Sequence, residues 1–225
     1  MERGKTILIE GTDCSGKETQ SDRLRTYLTS QGIEVAKFPY PQYESPTGKI
    51  VGGPYLGKPK ICEGWFPEGA PNVDPKVSAM YYGADFLYHL NEMNEVLDSG
   101  KWIILDRYFY STFAHQGGKE QDPNKRLALY NWFSKFFLDL LGLKDPDIKL
   151  FLHMPYDCSV ILKKRRDELP DQNEADANHL KNAEKAYIEM AELYDFETIK
   201  CGEGSTPYTE DDIEMKIREA VRKRM

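Results

Sequence analysis

The sequence KTILIEGTDCSGKETQ, residues 5–20, decides the fold of this chain. Its apolar run at residues 7–9 predicts a short strand that is buried on both faces of a sheet. Residues 11–17 then follow the pattern G-x-x-x-x-G-K, and a polar segment of helical character comes after them. Glycines allow a tight turn whose N–H groups point into one concavity, and the next helix adds its positive N-terminal end. This order predicts a phosphate-binding loop in which Lys17 reaches the β- and γ-phosphates of a nucleotide.

The loop and the first helical turn supply the candidate ligands of the nucleotide phosphates. These residues are Gly11, Thr12, Cys14, Ser15, Gly16, Lys17, Glu18 and Thr19. Glu18 stands where the usual pattern has a Ser or Thr hydroxyl that binds Mg²⁺. Thr19 does not simply replace that hydroxyl, because it points about 100° further around the helix. Two interpretations stay open: the Glu18 carboxylate binds Mg²⁺, or it is a first-turn acid favoured by the helix dipole.

Length and composition limit the class of protein. The 225 residues suit one α/β domain, so we predict a single domain over residues 1–225. The net charge of −7 argues against binding to nucleic acid polymers, and no apolar run approaches the length of a membrane span. The four cysteines form no C-x-x-C pair, and the N-terminus does not resemble a signal peptide. We therefore predict a cytoplasmic protein with reduced thiols and no membrane partner.

Apolar runs and helical patterns alternate along the chain. After the first strand, we predict strands at residues 33–38, 102–105, 147–154 and 196–200. Predicted helices follow the loop to about residue 31 and cover residues 48–56, 74–98, 110–116, 124–141, 156–169, 173–194 and 210–222. Residues 58–72 and 201–209 are predicted loops, the first anchored by Trp65 and Phe66. The alternation predicts a five-stranded parallel sheet with helices on both faces, whose ligands bind beyond the carboxyl ends of the strands.

An acidic and a basic residue follow the predicted third strand. Asp106 ends a buried apolar run, a position where an aspartate commonly holds Mg²⁺ or its water. Arg107 beside it is able to grip a phosphate with two hydrogen bonds. Both properties suit phosphoryl transfer, which needs positioning and positive charge more than covalent chemistry. The alternative is a buried Asp–Arg pair with a purely structural role.

The chain resembles thymidylate kinases, a family of P-loop nucleoside-monophosphate kinases. The matching residues are Ile9 to Asp13, Gly16, Lys17, Thr19, Gln20, Phe38, Pro39, Asp106 to Tyr108, Ser111, Ala114, Gln116, Gly117, Pro146 and Asp147. They extend over nearly the whole chain, and a basic helix pattern follows the fourth strand as it does in that family. The resemblance implies a three-layer P-loop NTPase fold with a helical lid near residues 163–175. It also implies ATP as phosphoryl donor, Mg²⁺, dTMP as acceptor and a homodimer packed through the long helix.

The resemblance further implies which residues bind the acceptor nucleotide. They are Asp13, Phe38, Pro39, Tyr82, Arg107, Ser111 and Gln116. Asp13 is expected between the sugar and the phosphate of the acceptor, and Arg107 is expected to grip that phosphate. Tyr82, or alternatively its neighbour Tyr81, is expected to stack on the base.

Catalytic roles are implied by the same resemblance. The candidates are Asp13, Lys17, Arg107, Arg165 and Arg166. Some thymidylate kinases carry an arginine for the transferring phosphoryl in the phosphate-binding loop, at the position of Cys14 here. We therefore expect Arg165 or Arg166, in the predicted lid, to supply this charge. The alternative is that the basic cluster of Lys163, Lys164, Arg165 and Arg166 is a solvated helix face. The loop before the last helix is expected to touch the adenine of the donor.

Three positions depart from the family pattern. Glu18 replaces the metal-binding hydroxyl, Pro41 replaces an arginine that binds the acceptor phosphate, and Phe86 replaces one that contacts the base. The loss of one such arginine contact costs about 1.5–3 kcal/mol, or tenfold to over a hundredfold in affinity. Candidates to compensate are Gln42, Tyr43 and Lys49.

These departures leave alternatives to the leading hypothesis, which is transfer of the ATP γ-phosphoryl to dTMP to give dTDP. The missing arginines favour a kinase of the same fold that acts on another nucleoside monophosphate or on a deoxynucleoside. Glu18 favours a nucleotide-binding protein with little transfer activity.

Overall fold

Five parallel strands form the central sheet of the computed structural model, which describes residues 2–164 and 171–225. The strands are β1 Thr6–Gly11, β2 Val35–Pro39, β3 Trp102–Asp106, β4 Ile148–His153 and β5 Glu197–Lys200. Their order in the sheet is β2-β3-β1-β4-β5, so β1 and its loop are central. The register sets Ile9 of β1 opposite Asp106 of β3, which brings the end of β3 beside the phosphate-binding loop. The predicted five-stranded parallel sheet is confirmed.

Nine α-helices are present in the described residues. They are α1 Lys17–Ser30, α2 Pro46–Ile50, α3 Pro75–Asp98, α4 Phe109–Gly117, α5 Pro123–Ser134, α6 Tyr156–Lys163, α7 Gln172–Ala175, α8 Ala177–Leu193 and α9 Glu210–Arg222. A π-helical turn extends α2 over Val51–Tyr55 and another extends α5 over Lys135–Leu140, and a 3₁₀ turn covers Ala70–Asn72. Helix α3 begins where expected, because Asp74 caps its first N–H groups and Pro75 suits its first turn.

Side-chain alternation along β1 separates two apolar cores. Leu8 points to one face of the sheet, while Ile7 and Ile9 point to the other. The first core is rich in aromatic rings from α3, α4, α5 and α8, among them Phe86, Phe113, Phe133 and Tyr187. The second core joins the sheet to α1 and α9 through Leu24, Leu28, Ile213 and Ile217. The chain is therefore a three-layer α/β structure with helices on both faces of the sheet.

The prediction of one helix over residues 173–194 was wrong, because Asp176 divides it into α7 and α8. The backbone of Asp176 has φ −94° and ψ 104°, which is not helical. Its carboxylate accepts hydrogen bonds from the backbone N–H groups of Asn178 and His179 at 2.9 and 3.0 Å. Asp176 therefore acts as an N-cap that begins a new helix.

Two predicted loops also differ from expectation. Residues 201–209 include a short hairpin of β6 Gly202–Glu203 and β7 Thr206–Pro207, which the sequence pattern did not predict. Trp65 does not anchor its loop, since its side chain is 75 % exposed. Phe66 does anchor it, with its ring edge-to-face on Tyr55 at 6.2 Å between centroids.

Part of the predicted lid lies outside the described residues. Helix α6 is described to its end at Lys163. Arg165 and Arg166, with residues 167–169 of the helix predicted over residues 156–169, belong to the part of the chain that the structure does not describe. Within residues 2–164 and 171–225, no helix has the length and apolar character needed to cross a bilayer.

Candidate active site

A cavity of about 810 Å³ opens beyond the carboxyl ends of β1, β2 and β3. Its walls are the phosphate-binding loop, the segment after β2, the turn after β3 and the beginning of α7. Most of the predicted site residues line it: Asp13, Cys14, Ser15, Gly16, Lys17, Glu18, Thr19, Pro39, Tyr82, Asp106, Arg107 and Ser111. The sheet thus brings segments distant in sequence to one place.

The phosphate-binding loop has the compact geometry that its glycines predict. Gly16 adopts φ 78°, a left-handed conformation that glycine adopts without strain. A Cβ at Gly11 would lie 2.8 Å from the backbone oxygen of Leu152, so only glycine fits there. The Thr12 hydroxyl fixes the loop to the end of β4, because it donates to Met154 O and accepts from Met154 N at 2.7 and 2.8 Å. Gly11 and Thr12 therefore shape the loop from behind the cavity.

Lys17 is held inside this loop. Its ammonium donates hydrogen bonds to the backbone oxygens of Gly11 and Thr12, both at 3.0 Å. Burial, together with the Arg107 charge, lowers the pKa of Lys17 from 10.5 to about 8. The ammonium is thus positioned and only weakly hydrated, which strengthens its attraction for a phosphate.

Asp13 forms an ion pair that the sequence pattern did not reveal. Its Oδ2 atom lies 2.7 Å from Nζ of Lys163, at the end of α6. Burial alone would raise the pKa of Asp13, but the Lys163 hydrogen bond and charge outweigh this effect and lower it. Lys163 also donates to the backbone oxygen of Glu174 at 3.0 Å. The carboxylate of Asp13 is therefore ionised and fixed at the edge of the cavity.

Asp106 and Glu18 are placed where carboxylates could hold a divalent cation. Asp106 is buried, with Oδ2 at 3.5 Å from the Ser21 hydroxyl and 3.8 Å from Nζ of Lys37. Glu18 and Thr19 are exposed on the first turn of α1 and line the cavity. No group of three or more metal-ligating side chains is found among the described residues. This donor set fits Mg²⁺, which is usually held by one or two carboxylates together with substrate phosphates.

A buried glutamate organises the end of the cavity near β3. Glu10 is fully buried in β1, and its carboxylate accepts hydrogen bonds from the backbone N–H groups of Tyr108 and Ser111, both at 2.9 Å. It also accepts from the hydroxyls of Ser111 and Tyr187, at 2.6 and 3.1 Å. Burial raises the pKa of Glu10, while the Arg107 charge and these hydrogen bonds oppose the rise. Glu10 therefore ties β1 to the start of α4 and to α8.

Arg107 occupies a strained backbone position beside this network. Its φ is 66°, a left-handed value that is rare for residues other than glycine. Its N–H donates to the backbone oxygen of Ile9 at 3.1 Å, and its guanidinium lies 3.5 Å from the Tyr187 hydroxyl. Residues in such conformations cluster at functional sites, where the surrounding structure holds them. The turn directs the Arg107 side chain towards the cavity.

Aromatic residues form the other end of the cavity. Tyr82 lines it, whereas Tyr81 stacks on Tyr55 at 5.7 Å between centroids. Of these two candidates for stacking on a base, Tyr82 is therefore the one that faces the cavity. Phe38 packs in the first core, and Gln116 is fully buried with its amide 3.4 Å from the Tyr55 hydroxyl. Phe38 and Gln116 thus support the pocket from behind its wall.

The two positions without the expected arginines meet at this aromatic end. Phe86 is 2 % exposed, and its ring contacts Tyr40 and Tyr108 at 4.9 and 5.0 Å between centroids. Pro41 lines the cavity next to Tyr40. Of the residues named as candidates to compensate, Gln42 and Tyr43 line the cavity, and Lys49 is exposed on α2 away from it.

Two residues of the site, Glu10 and Lys163, were not predicted from the sequence, and the sequence contains a clue to each that stops short of its partners. Glu10 was detectable as a lone acid inside an apolar strand, because a buried carboxylate must have hydrogen-bond partners. Nothing in the local sequence connects it with Ser111 and Tyr187, which lie about one hundred residues or more away. Lys163 is part of the basic cluster that the sequence analysis identified. Its ion pair with Asp13 was not predicted, because the two residues come together only in the folded protein.

The sheet order, the phosphate-binding loop and the acid and arginine after β3 define a P-loop nucleotide kinase. Comparisons with known proteins agree with this class. The sequence model of the family described as "Thymidylate kinase" matches residues 9–211. The chain therefore belongs to the thymidylate kinase family, and the resemblance noted from the sequence is confirmed.

Individual relatives are consistent with this assignment. Thymidylate kinase from Carboxydothermus hydrogenoformans is 37 % identical over 168 residues, which cover 74 % of this chain and 73 % of that protein. The enzyme of the same name from Alkalilimnicola ehrlichii is 27 % identical over 197 residues, or 86 % and 82 % of the two chains. The structure of thymidylate kinase from Candida albicans superimposes with a TM-score of 0.73 at 22 % identity and covers 98 % of this chain and 92 % of that one. The last similarity concerns the fold.

Proposed function

We propose that this protein transfers the γ-phosphoryl group of ATP to dTMP and releases ADP and dTDP. The observation that carries the proposal is that Lys17 and the phosphate-binding loop line the same cavity as Arg107 and Tyr82. Two nucleotides placed end to end in such a cavity have their phosphates adjacent. Membership of the thymidylate kinase family supports dTMP as the acceptor.

Each side of the cavity has a defined task in this reaction. The loop amides and the Lys17 ammonium bind the donor phosphates and stabilise the charge that develops on the transferring group. Arg107 binds the acceptor phosphate, and Asp13, fixed by Lys163, orients the acceptor beside it. An oxygen of the acceptor phosphate attacks the γ-phosphorus in line, and the bond to the β-phosphate oxygen of ATP breaks. Catalysis rests on position and charge, without a covalent intermediate.

We include Mg²⁺ in the proposal, with Asp106 and Glu18 as its protein ligands. A bound Mg²⁺ would neutralise charge on the ATP phosphates. We also retain Arg165 or Arg166 as the cation for the transferring phosphoryl, although both lie outside the described residues. Loop 202–208 is proposed to contact the donor adenine.

A second candidate is a kinase of the same fold with another acceptor. It is favoured by Pro41 and Phe86, which replace two charged contacts at the acceptor end by apolar surface. This candidate differs from the first in the acceptor and not in the transfer chemistry.

A substrate panel tests both candidates. Purified protein is assayed with ATP and Mg²⁺ against dTMP, dUMP, dCMP, dAMP, dGMP and thymidine, with ADP release as the measurement. We expect the largest kcat/KM with dTMP or dUMP. Preference for thymidine over dTMP would contradict the proposal. Lys17→Ala serves as the control and should lower kcat by several orders of magnitude, because the developing charge loses its fixed cation.

We also propose that the protein is a cytoplasmic homodimer. Helix α3 exposes the apolar residues Val77, Met80, Leu87 and Tyr88, which are 38, 54, 47 and 57 % exposed. At about 100° per residue, these positions fall within about 100° of one another around the helix, so they lie on one side of it. Contact between two copies of this surface would remove these side chains from water.

A further inference from the structure

The acceptor end of the cavity needs cations that balance the charge of the acceptor phosphate. A nucleoside monophosphate carries nearly two negative charges at neutral pH, so its binding in a partly enclosed cavity requires positive side chains. Pro41 and Phe86 provide none. The cations that line the cavity in the described residues are Lys17, Arg25, Lys37, Lys58 and Arg107.

Three of these cations already contact protein groups. Lys17 is bound by carbonyl oxygens of the phosphate-binding loop. Lys37 lies 3.1 Å from Asp22 and 3.8 Å from Asp106. Arg25 lies 3.6 Å from Asp22. Arg107 and Lys58 are the cations that remain for the acceptor among the residues described.

Lys58 lies in the segment after α2 and lines the same cavity as Arg107. Its ammonium lies over the ring of Tyr43, 4.4 Å from the centroid, and both residues line the cavity. Burial raises the pKa of Tyr43, on which the charges of Asp171, Arg107 and Glu174 also act. Tyr43, Lys58 and Arg107 all line the same cavity, so the two cations border the space into which an acceptor phosphate would bind.

The segment that carries Lys58 is firmly attached. The backbone N–H of Lys58 donates to Gly52 O at 2.8 Å. Gln172 joins the segment to α7, since its backbone N–H donates to Leu56 O at 3.3 Å and its side-chain oxygen accepts from Ala70 N at 2.7 Å. A lysine on an anchored backbone loses less freedom when it binds a phosphate than one on a free loop.

We propose that Lys58 binds the phosphate of the acceptor nucleotide and, together with Arg107, performs the task of the phosphate-binding arginine whose place Pro41 occupies. The Tyr43 ring attracts the ammonium by a cation–π interaction and so holds it at the wall of the cavity. Lys58 is then a substrate-binding residue that selects phosphorylated acceptors. This inference rests on the proposed function, because it assumes that a nucleoside monophosphate occupies this end of the cavity.

A structural role for Lys58 makes different predictions. Asp171 and Glu174 line the same wall, and the Lys58 charge lowers the pKa of both carboxyls against the larger effect of burial. If Lys58 only neutralised these acids, its removal would weaken the wall for every acceptor, with or without a phosphate. If it binds phosphate, its removal affects only phosphorylated acceptors.

The experiment compares binding of dTMP and thymidine by titration calorimetry to the wild-type protein and to Lys58→Ala, Lys58→Arg and Lys49→Ala. We expect Lys58→Ala to weaken dTMP binding by about tenfold to a hundredfold and to leave thymidine binding within about twofold. Lys58→Arg keeps the positive charge and should remain within a few-fold of wild type. Lys49→Ala is the matched control, because this lysine is exposed on α2 and does not line the cavity. In steady-state assays, Lys58→Ala should raise KM for dTMP and leave KM for ATP unchanged.

Two results overturn the inference: unchanged dTMP binding in Lys58→Ala, or an equal loss for dTMP and thymidine. A thermal melt of each variant confirms that it is folded, and Lys58→Arg supplies a second comparison if Lys58→Ala is not. Failure of the proposed function has a separate signature, since it appears in the wild-type protein as absence of transfer to any nucleoside monophosphate. A wild-type protein that binds no nucleoside monophosphate overturns both.

Discussion

At the scale of the residue, the proposed Mg²⁺ site depends on Glu18. It occupies the helical position after Lys17, where a hydroxyl usually contacts Mg²⁺. A carboxylate there is able to bind the cation, but it also places a negative charge beside the donor phosphates. Glu18 is also exposed on the first turn of α1, where the positive end of the helix dipole stabilises its negative charge.

We expect Glu18→Ser to keep or increase the Mg²⁺-dependent rate. The serine hydroxyl restores a metal ligand and removes the repulsion between the carboxylate and the phosphates. The measurement is kcat as a function of Mg²⁺ concentration for wild type, Glu18→Ser and Glu18→Ala, of which the last lacks both ligands. Complete loss of activity in Glu18→Ser would show instead that the carboxylate is required.

At the scale of elements, α4 and α8 meet through a pair of histidines. Nδ1 of His115 lies 3.2 Å from Nε2 of His179, and the two rings are stacked. Burial, then the Lys119 charge, lowers the pKa of His179 to about 4, while Asp176 opposes the decrease. The pKa of His115 is also lowered, by burial and then by the charges of His179 and Arg107. Both rings are therefore neutral in the folded protein near pH 7.

This contact predicts acid sensitivity of the fold. Below pH 6.5, the unfolded chain binds a proton at His179, whereas the folded protein does not until about pH 4. The unfolded state therefore binds more protons than the folded state in this window. The free energy of unfolding consequently decreases as the pH is lowered, by up to roughly 3 kcal/mol from His179. We expect His179→Gln, which keeps a hydrogen-bonding side chain without titrating, to reduce the loss.

The measurement is the free energy of unfolding in urea at several values between pH 7.5 and 4.5. The difference between wild type and His179→Gln at pH 7.5 gives the cost of altered packing, because the histidine is neutral in both states there. The change of that difference with pH gives the titration of His179. Parallel curves for the two proteins would contradict the predicted acid sensitivity.

At the scale of the whole molecule, the sequence predicted those features of the fold that local residue patterns determine, namely the strands and the phosphate-binding loop. The runs of apolar, β-branched residues identified all five strands of the sheet, and the phosphate-binding loop placed β1 beside the ligand site. The break at Asp176 could not be predicted in this way. In a sequence with continuous helical periodicity, an N-cap residue cannot be distinguished from any other exposed polar residue. The contacts of Glu10 were not predictable, since they join β1 to α4 and α8, which only the fold brings together. The contact between Lys58 and Tyr43 was not predictable either, since it depends on the path of the irregular segment after β2.

The surface of the whole molecule also predicts its state of assembly. Leu87 and its exposed apolar neighbours on α3 would be costly to leave in water, and burial of such a side chain contributes about 1.5–3 kcal/mol. We expect wild type to sediment at twice the 26.0 kDa mass of the chain, and Leu87→Glu to sediment as a monomer, because two glutamates would face each other across a symmetric contact. Met215→Glu is the matched control, since Met215 is an exposed apolar residue of α9 on the other side of the sheet, and this variant should remain a dimer. A dimeric Leu87→Glu would place the contact elsewhere, and a monomeric wild type would exclude it.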